Sequence, residues 1–443
     1  RCNPSLMGTK GGVRTNARFE RSAIRVDQRF SYEQALRVMK ADDEEELGLD
    51  PELIGLLKRM LELAMILRNR RLARGALELN MPEVEVVLGP KREAVGARVV
   101  AQDESHQVIE EFMLAANEAV AELLDSREIP FLHRDHPDPE PRKLKDFAVF
   151  ANSLGFTIEQ AQSRFELQRV LNESATAPER HAVHYGLLRS LKQAVYAPQS
   201  DGHYALAAKH YCHFTSPIRR YPDLQVHRQL LAFLEGKTPR GGDDLAALAE
   251  HCTKMERRSE AAERDLRRIK LLTYLTTKID QSFHAIIIGV EDFGLFCLLK
   301  EVPVEGLLHV DRLPADHYYL EAETYTLIAR RKGTRYRLGN EIEVRIARID
   351  IDRRSLDLEP SDGAPRREPP RVIEPFTARS IGPGSGVRPK PRGAIRALVK
   401  APPDHSPGGA LSGKKSKPPG PSKGKAKGTG KLKVKGQRKR KGK

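Results

Sequence analysis

Between His210 and Arg228 the chain reads HYCHFTSPIRRYPDLQVHR, placing two hydroxyls (Thr215, Ser216), two guanidiniums (Arg219, Arg220), the Tyr221 phenol and the Asp223 carboxylate within nine residues. Pro217 and Pro222 bracket the arginines. Proline fixes φ and lacks an amide hydrogen, so two of them five residues apart forbid a continuous helix or central strand and impose a rigid corner. Pro222 is tolerated in a first helical turn, and Leu224, His227, Leu231 and Phe233 continue with roughly helical spacing. The arginines therefore sit at a helix start, where unpaired backbone amides also favour an anion. Guanidinium forks at such a position suit phosphate. An isolated Arg-Arg pair is more often an ordinary surface turn; the clustering with hydroxyls, a phenol, a carboxylate, His213 and His227 argues for a site.

The run HFTSPIRRYPDLQVHR resembles the signature of the ribonuclease II and ribonuclease R exoribonucleases. That resemblance implies processive, magnesium-dependent hydrolysis of RNA from its 3′ end to 5′-mononucleotides. Arg219 and Arg220 would hold the scissile phosphate, Arg219 being favoured, with Thr215, Ser216, Tyr221, His227 and Arg228 along the RNA. By the same resemblance Tyr32, after the N-cap candidate Ser31, would stack on the terminal nucleotide. The segment VIEEFMLAANEAVA resembles the family helix that places a glutamate near the scissile end, leaving Glu110 and Glu111 as alternatives and matching Asn117 as well. On residue pattern alone both glutamates read as solvated, Glu111 facing away from the stripe Ile109, Phe112, Met113, Ala116 and Val120, with Glu110 on its flank. IPFLHR at 129–134 resembles a further family strand.

The family's magnesium is held by closely spaced aspartates upstream of the region matched by Arg1. No metal ligand is therefore expected in this chain, and the magnesium ligands are expected in an upstream segment. The acidic run 42–46 does not match that pattern and reads as a solvated loop. The chain opens on Arg1 and not methionine, which suggests a fragment or a sequence cut at its start. A catalytically incomplete RNA-binding fragment is accordingly the alternative to the exoribonuclease.

These residues need elements to hold them. Gly11-Gly12 reads as a turn before a strand, residues 51–74 and 105–124 carry helical stripes, and Val84, Val86 and Val87 read as a short strand. The segment 184–197 reads as a packing helix buried through Tyr185, Leu188, Leu191 and Val195. A long helical pattern over 243–280 is charged all round in its middle and reads as a solvated link with no catalytic role. From 281 the pattern changes to five short alternating strands with Gly turns, the sign of a small oligonucleotide-binding barrel. DFGLF, VEGLLHVDRL and LGNEIEVRIARID resemble the ribosomal protein S-one type RNA-binding domain. On that resemblance Phe283, Phe293, Phe296, His309 and Arg345 face RNA, although Phe283 and Phe296 read equally well as barrel core. Tyr318, Tyr319, Tyr325, Arg330, Arg331, Lys332, Arg335, Tyr336 and Arg337 form an insertion that could extend that face.

The expected fold class is α+β. The C-terminal part of a mixed α/β RNB-type catalytic domain spans 1–240, a helical connector 241–280, the five-stranded barrel 281–360 and a disordered basic tail 361–443. Of the net charge of +16 on 443 residues, the tail carries +19, from 23 Lys and Arg against four Asp and Glu, and residues 1–360 come to −3. So polar a segment buries too little apolar surface to order itself, and its lysines suit polyanions. Single-stranded RNA is the expected partner, with ribosomes or other RNA-bound assemblies reached through the tail, and the protein is expected to be a cytoplasmic monomer without membrane contact. Cys2, Cys212, Cys252 and Cys297 form no CxxC pair, so neither a disulfide framework nor a zinc site is expected.

Overall fold

The turn read at Gly11-Gly12 joins β1 (Cys2–Gly8) to β2 (Arg14–Arg21) as an antiparallel hairpin, with Gly12 at φ +71°. A Cβ there would also meet the Ile66 side chain at 2.6 Å, so conformation and space both require glycine. The computed structural model describes residues 2–361 apart from 9–10, 44, 80, 82, 101, 238–243 and 280, together with 371–373.

Ser31 caps α1 (Tyr32–Lys40) through a reciprocal box. Its hydroxyl accepts the Gln34 amide at 3.2 Å, and the Gln34 side chain accepts the Ser31 amide at 2.9 Å. Asp50 and Pro51 start α2 (Pro51–Ala73), and Asp103 caps α3 (Glu104–Ser126) after the hairpin of β3 (Glu83–Leu88) and β4 (Ala94–Val100). Val38, Met39, Ile54, Leu57, Ala64 and Val108 lock the three helices together. Each of the Val, Ile, Leu and Met side chains among them, fully buried, contributes about 1.5–3 kcal/mol. The acidic run does not stay a loop throughout, since Glu45–Leu47 makes one 3-10 turn whose Glu45 amide donates to Asp43.

β5 (His133–Asp135) is followed by α4 (Pro141–Ser153), α5 (Arg164–Glu173), α6 (Arg180–Ser190) and β6 (Val195–Ala197), which pairs back on β5. The helix read over 184–197 is thus corrected in its second half and in its buried face. The chain leaves helical geometry after Ser190 because residues 195–197 are taken up by β5. Tyr185 and Leu188 are exposed, while Ala182, Val183, His184 and Leu187 face α4 and α5. α7 (Tyr221–Leu234) begins at the arginine corner and packs Val226 and Leu230 on Val120, Leu124 and Phe131.

α8 (Leu245–Leu275) is a continuous 31-residue helix leading to the barrel. There β7 (Ser282–Glu291), β8 (Gly294–Leu299) and β9 (Glu305–His309) form an antiparallel meander. A separate sheet of β10 (Tyr318–Glu321), β11 (Thr326–Ala329) and β12 (Arg335–Arg337) interrupts it. Then β13 (Glu341–Asp350) pairs with both β7 and β14 (Ser355–Pro360), and β14 pairs in parallel with β9, closing five strands. Closure puts Phe283, Ala285, Ile287, Leu295 and Val344 inside. The expectation that Phe283 faces RNA is corrected: at 4% exposure it is core, because it shares the inward side of β7 with Ala285 and Ile287. A second departure lies in the segment expected to be disordered, where β15 (Arg371–Ile373) pairs in parallel with β13. The rest of the basic tail lies outside the described residues.

One core runs from Leu167, Val170 and Leu187 of α5 and α6 into the barrel, and Phe150 meets Tyr325 edge-on at 4.9 Å. Barrel and helices are therefore fused and not hinged at α8. Cys212, Cys252 and Cys297 are buried free thiols. Among the described residues no helix is long and apolar enough to cross a membrane.

Candidate active site at the arginine corner

The corner hangs on α3 through Asn117, 2% exposed. Its amide donates to the Tyr211 hydroxyl at 3.1 Å, its carbonyl oxygen accepts the Phe214 amide at 3.1 Å, and its main-chain oxygen lies 3.6 Å from Cys212 Sγ. Three residues of the approach, Tyr211, Cys212 and Phe214, are thereby fixed before the first proline. Past Pro217 the chain reverses, the Arg219 and Arg220 amides donating to Ser216 O at 3.3 and 3.0 Å. Asp223, fully buried, closes the corner: one oxygen accepts the Ser216 amide at 2.8 Å and Arg220 Nη2 at 2.7 Å.

The two arginines consequently have different work. Arg220 is half-buried and committed to Asp223, so it braces the turn. Arg219 is exposed, and among the described residues its guanidinium has no ion-pair partner. Beside it, Thr215 Oγ1 and Arg220 Nε are buried donors without a hydrogen-bond partner, an arrangement that costs about 1–3 kcal/mol per group unless an acceptor arrives. Tyr221 is exposed under Arg228, whose guanidinium lies 5.8 Å from its ring centre. His227, expected along the RNA, stacks on Phe214 at 4.0 Å and its Nε2 meets Phe214 O at 3.0 Å, which ties it into the packing under the corner.

Behind the corner lies a polar wall that the motif did not announce. Arg134 from β5 pairs with Glu256 of α8 at 2.6 Å and sits 4.8 Å from the Tyr196 ring, and the Tyr196 hydroxyl meets His213 Nδ1 at 2.9 Å. Burial first, then the guanidiniums of Arg220 and Arg134, push the His213 imidazole down to about 2. Burial, then His136 and Arg134, take His203 to about 3. Positive charge here is therefore carried by arginine, and the histidines stay neutral.

This has a stability consequence. Above pH 6.5 neither state protonates these rings. As pH falls through 6.5 the unfolded chain takes up two protons that the folded chain refuses until about pH 3. Stability then drops by up to about 1.4 kcal/mol per pH unit for each ring. The thermal midpoint is expected to fall from pH 7 to pH 5, and His203→Gln to remove part of that fall, the rest being shared with His213 and with His133, His136, His181 and His184, which burial lowers as well; a slope unchanged in the variant would contradict the burial account.

Farther up α3, Tyr32 stacks on His106 with centroids 3.8 Å apart and planes at 15°, one face of its ring exposed. From His106 to Asn117 the helix rises about 17 Å, a few nucleotides of strand. Between them the two glutamates diverge. Glu111 is corrected from solvated to buried, at 3% exposure, because Arg71 of α2 reaches it at 2.6 Å. Glu110 keeps a half-exposed side chain, 3.8 Å from the same guanidinium.

On the barrel, Phe293 is exposed with Phe296 edge-on at 6.0 Å, and His309 is part exposed at the end of β9. Arg345, expected to face RNA, is mostly covered, 3.6 Å from Glu359 across the β13–β14 pair.

A protein-family model described as "RNB domain" matches residues 6–236, and one described as "S1 RNA binding domain" matches 276–360. The chain belongs to the RNB-domain family. Among curated relatives of this RNB chain, ribonuclease R 1 of Lactococcus lactis is 33% identical over 352 residues, covering 78% of this chain and 43% of that protein. The ribonuclease R of Thermotoga maritima is 36% identical over 313 residues, 68% of this chain and 44% of that protein. The chain spans less than half the length of these relatives. Among solved structures, apo RNase R of Mycoplasma genitalium superposes with a TM-score of 0.73 at 25% identity, covering 81% of this chain and 58% of that one, and that protein is also known in complex with ribose-methylated single-stranded RNA. Yeast Ssd1, a pseudonuclease, shares the fold with a TM-score of 0.56 at 20% identity.

The corner of this RNB domain does not fit the magnesium that the resemblance implies. Among the described residues no three His, Cys, Asp or Glu side chains converge to hold a metal ion. The nearby carboxylates are already engaged: Asp223 by Ser216 and Arg220, Asp125 by His210 at 2.6 Å and His133 at 3.5 Å, Glu256 by Arg134, Glu111 by Arg71. Arg71, His106, Arg134, Tyr196 and Glu256 were missed as site residues. The IPFLHR segment contains Arg134, but its partner lies 122 residues away and no local spacing points to it.

Proposed function

We propose that this chain supplies the strand-holding and phosphate-clamping part of a 3′-to-5′ exoribonuclease of the ribonuclease R type, which hydrolyses RNA to 5′-mononucleotides with magnesium. One observation carries it: Arg219 stands exposed and, among the described residues, without an ion-pair partner, on a corner whose other charged groups are spent on holding it still. A fork presented this way accepts two non-bridging oxygens and gains strength as charge grows on them in the transition state. Tyr32, braced by His106, stacks the terminal nucleotide, and Glu110 faces the same strand. Phe293 and His309 on the barrel hold RNA farther from the 3′ end, with stacking worth about 1–3 kcal/mol per base irrespective of sequence. Magnesium finds no ligand group among the described residues, and its carboxylates are proposed to lie outside them.

The engagement of Asp125, Glu256, Glu111 and one oxygen of Asp223 favours a second reading, in which this polypeptide by itself holds single-stranded RNA without cutting it. Digestion of RNA labelled at either end distinguishes the outcomes, using the 443-residue chain alone, which cuts nothing on the second reading, and the chain joined to the part of a curated relative that it does not span. Magnesium-dependent loss of the 3′ label as mononucleotide, with a gradually shortening 5′-labelled ladder, is the expected result. Internal cuts, or shortening from the 5′ end, would overturn the assignment.

A further inference from the structure

The barrel carries a feature that the strand-holding reading does not use. In the sheet of β10, β11 and β12, paired residues point to the same side, so Tyr319, Ile328 and Arg335 form one row across it. Arg330 adds its guanidinium 5.9 Å from the Tyr319 ring. The β11–β12 turn that follows holds Arg331 and Lys332 before Gly333, at φ +68°. Arg330, Arg331, Lys332 and Arg335 are all exposed, and among the described residues none lies within salt-bridge distance of a carboxylate.

The turn is stiff. Asp316 accepts the main-chain amides of His317, Arg331 and Lys332 at 2.7 to 3.2 Å, and the Arg330 amide donates to His317 O at 2.9 Å. The carboxylate nearest the cations is thus spent on backbone. Glu321 and Glu323 lie at the other end of the sheet, by the β10–β11 turn, so the charge is concentrated at the β11–β12 end. On the inner side, Tyr318, Leu320 and Tyr336 pack on the core shared with α4 to α6, which fixes the hairpin to the body of the molecule. A cleft between this surface and the loop of Phe293 is lined by Asp292, Asp311 and Asp316 together with His317 and Arg331. Its three carboxylates disfavour a phosphate between the two surfaces, so the hairpin is a contact of its own and not a widening of the Phe293–His309 face.

We propose that the β11–β12 hairpin is a second RNA-docking surface, gripping the phosphate backbone through Arg330, Arg331, Lys332 and Arg335 at a distance from the arginine corner. The inference rests on the reading of this chain as RNA-holding. Four rigidly presented cations without carboxylate partners match a run of phosphates, and contacts of that kind ignore base identity. Preorganisation by Asp316 keeps the ordering cost of the contact low.

The test uses the 443-residue chain and a variant carrying R330A, R331A, K332A and R335A, titrated by fluorescence anisotropy against a single-stranded RNA and against the same strand in a duplex, at several salt concentrations. Affinity for at least one RNA is expected to fall about tenfold or more at 0.1 M salt, with the log–log salt slope shallower by roughly 2–3. The form that loses more identifies what docks there. A companion with lysine at positions 330, 331 and 335 keeps the charge and is expected to keep the slope. If the wild-type chain binds neither RNA, the strand-holding reading fails and takes this inference with it. If the wild type binds, Phe293→Ala weakens binding and the fourfold variant matches wild type on both RNAs, the hairpin proposal alone is overturned. Loss of binding to polyglutamate, with RNA binding intact, would likewise overturn it and assign the hairpin to an acidic protein.

Discussion

Arg219→Ala, in the chain joined to the part of a curated relative that it does not span, is expected to slow mononucleotide release by about 10³-fold while RNA affinity stays within a few-fold. The split follows from where charge changes. Before reaction the last phosphate carries one negative charge, and the strand is held by many other contacts, so one fork adds little to binding. As the water attacks, charge accumulates on the oxygens that the fork bridges, and its loss falls on the rate. Arg219→Lys keeps the charge without the planar fork and is expected to recover only part of the rate. Arg220→Ala should behave differently: it strips Asp223 of its guanidinium and lowers stability as well as rate. Single-turnover rates and equilibrium binding, measured on the same preparations, check this. An Arg219→Ala enzyme with an intact rate would remove the corner from the chemistry.

Glu111→Ala is expected to cost about 3 kcal/mol of folding stability, among the largest effects of any single substitution here, because it takes the nearest carboxylate from the buried Arg71 guanidinium and leaves it Glu78 at 3.3 Å and Glu110 at 3.8 Å. Arg71 is 3% exposed, and Glu111 holds it through Nε at 3.0 Å and Nη2 at 2.6 Å, with Glu78 a further 3.3 Å contact. Burial works against the Arg71 charge, and the carboxylates of Glu111, Glu110 and Glu78 together more than restore it. Replacing both partners by apolar residues of similar size, Arg71→Met with Glu111→Leu, removes the uncompensated charge and should restore stability to wild type or slightly above. Denaturant midpoints for the two single variants and the double give the coupling directly. Additive losses would mean that the pair contributes packing and no electrostatic coupling. Glu110, a neighbour on the same helix, is expected to tolerate alanine with little loss of stability because its side chain is half-exposed.

The features legible in the amino-acid sequence are those whose determinants lie close together along the chain. The corner is one, because both prolines, both arginines and Asp223 fall within seven residues, and proline chemistry allows few alternatives there. The Ser31 cap, the α2 stripe and the Gly11-Gly12 turn are legible for the same local reason. The barrel strands show in their alternation, but a two-residue period defines two faces without saying which is inside. Closure through β13 and β14 decides that, and it takes Phe283 inward and covers Arg345. Glu111 does not read as buried because the helix is covered on two sides: α2 brings Arg71 to a face that the apolar stripe leaves polar. Tyr32 on His106 and Arg134 on Glu256 are contacts between distant segments, 74 and 122 residues apart, which no window of sequence records. The helix over 184–197 fails at Leu191 for a related reason, since strand pairing with β5 outweighs local propensity.

The central claim is that RNA enters with its 3′ end at the arginine corner and its upstream nucleotides on the barrel. The most direct measurement places 4-thiouridine at the 3′ terminus, or about eight nucleotides upstream, of a single-stranded RNA, photocross-links each to the 443-residue chain and maps the peptides by mass spectrometry. The account predicts that the terminal label marks the segments around Tyr32 and residues 211–223, and the upstream label those around Phe293 and His309. A terminal label that marks only the barrel, with the corner untouched, would contradict it.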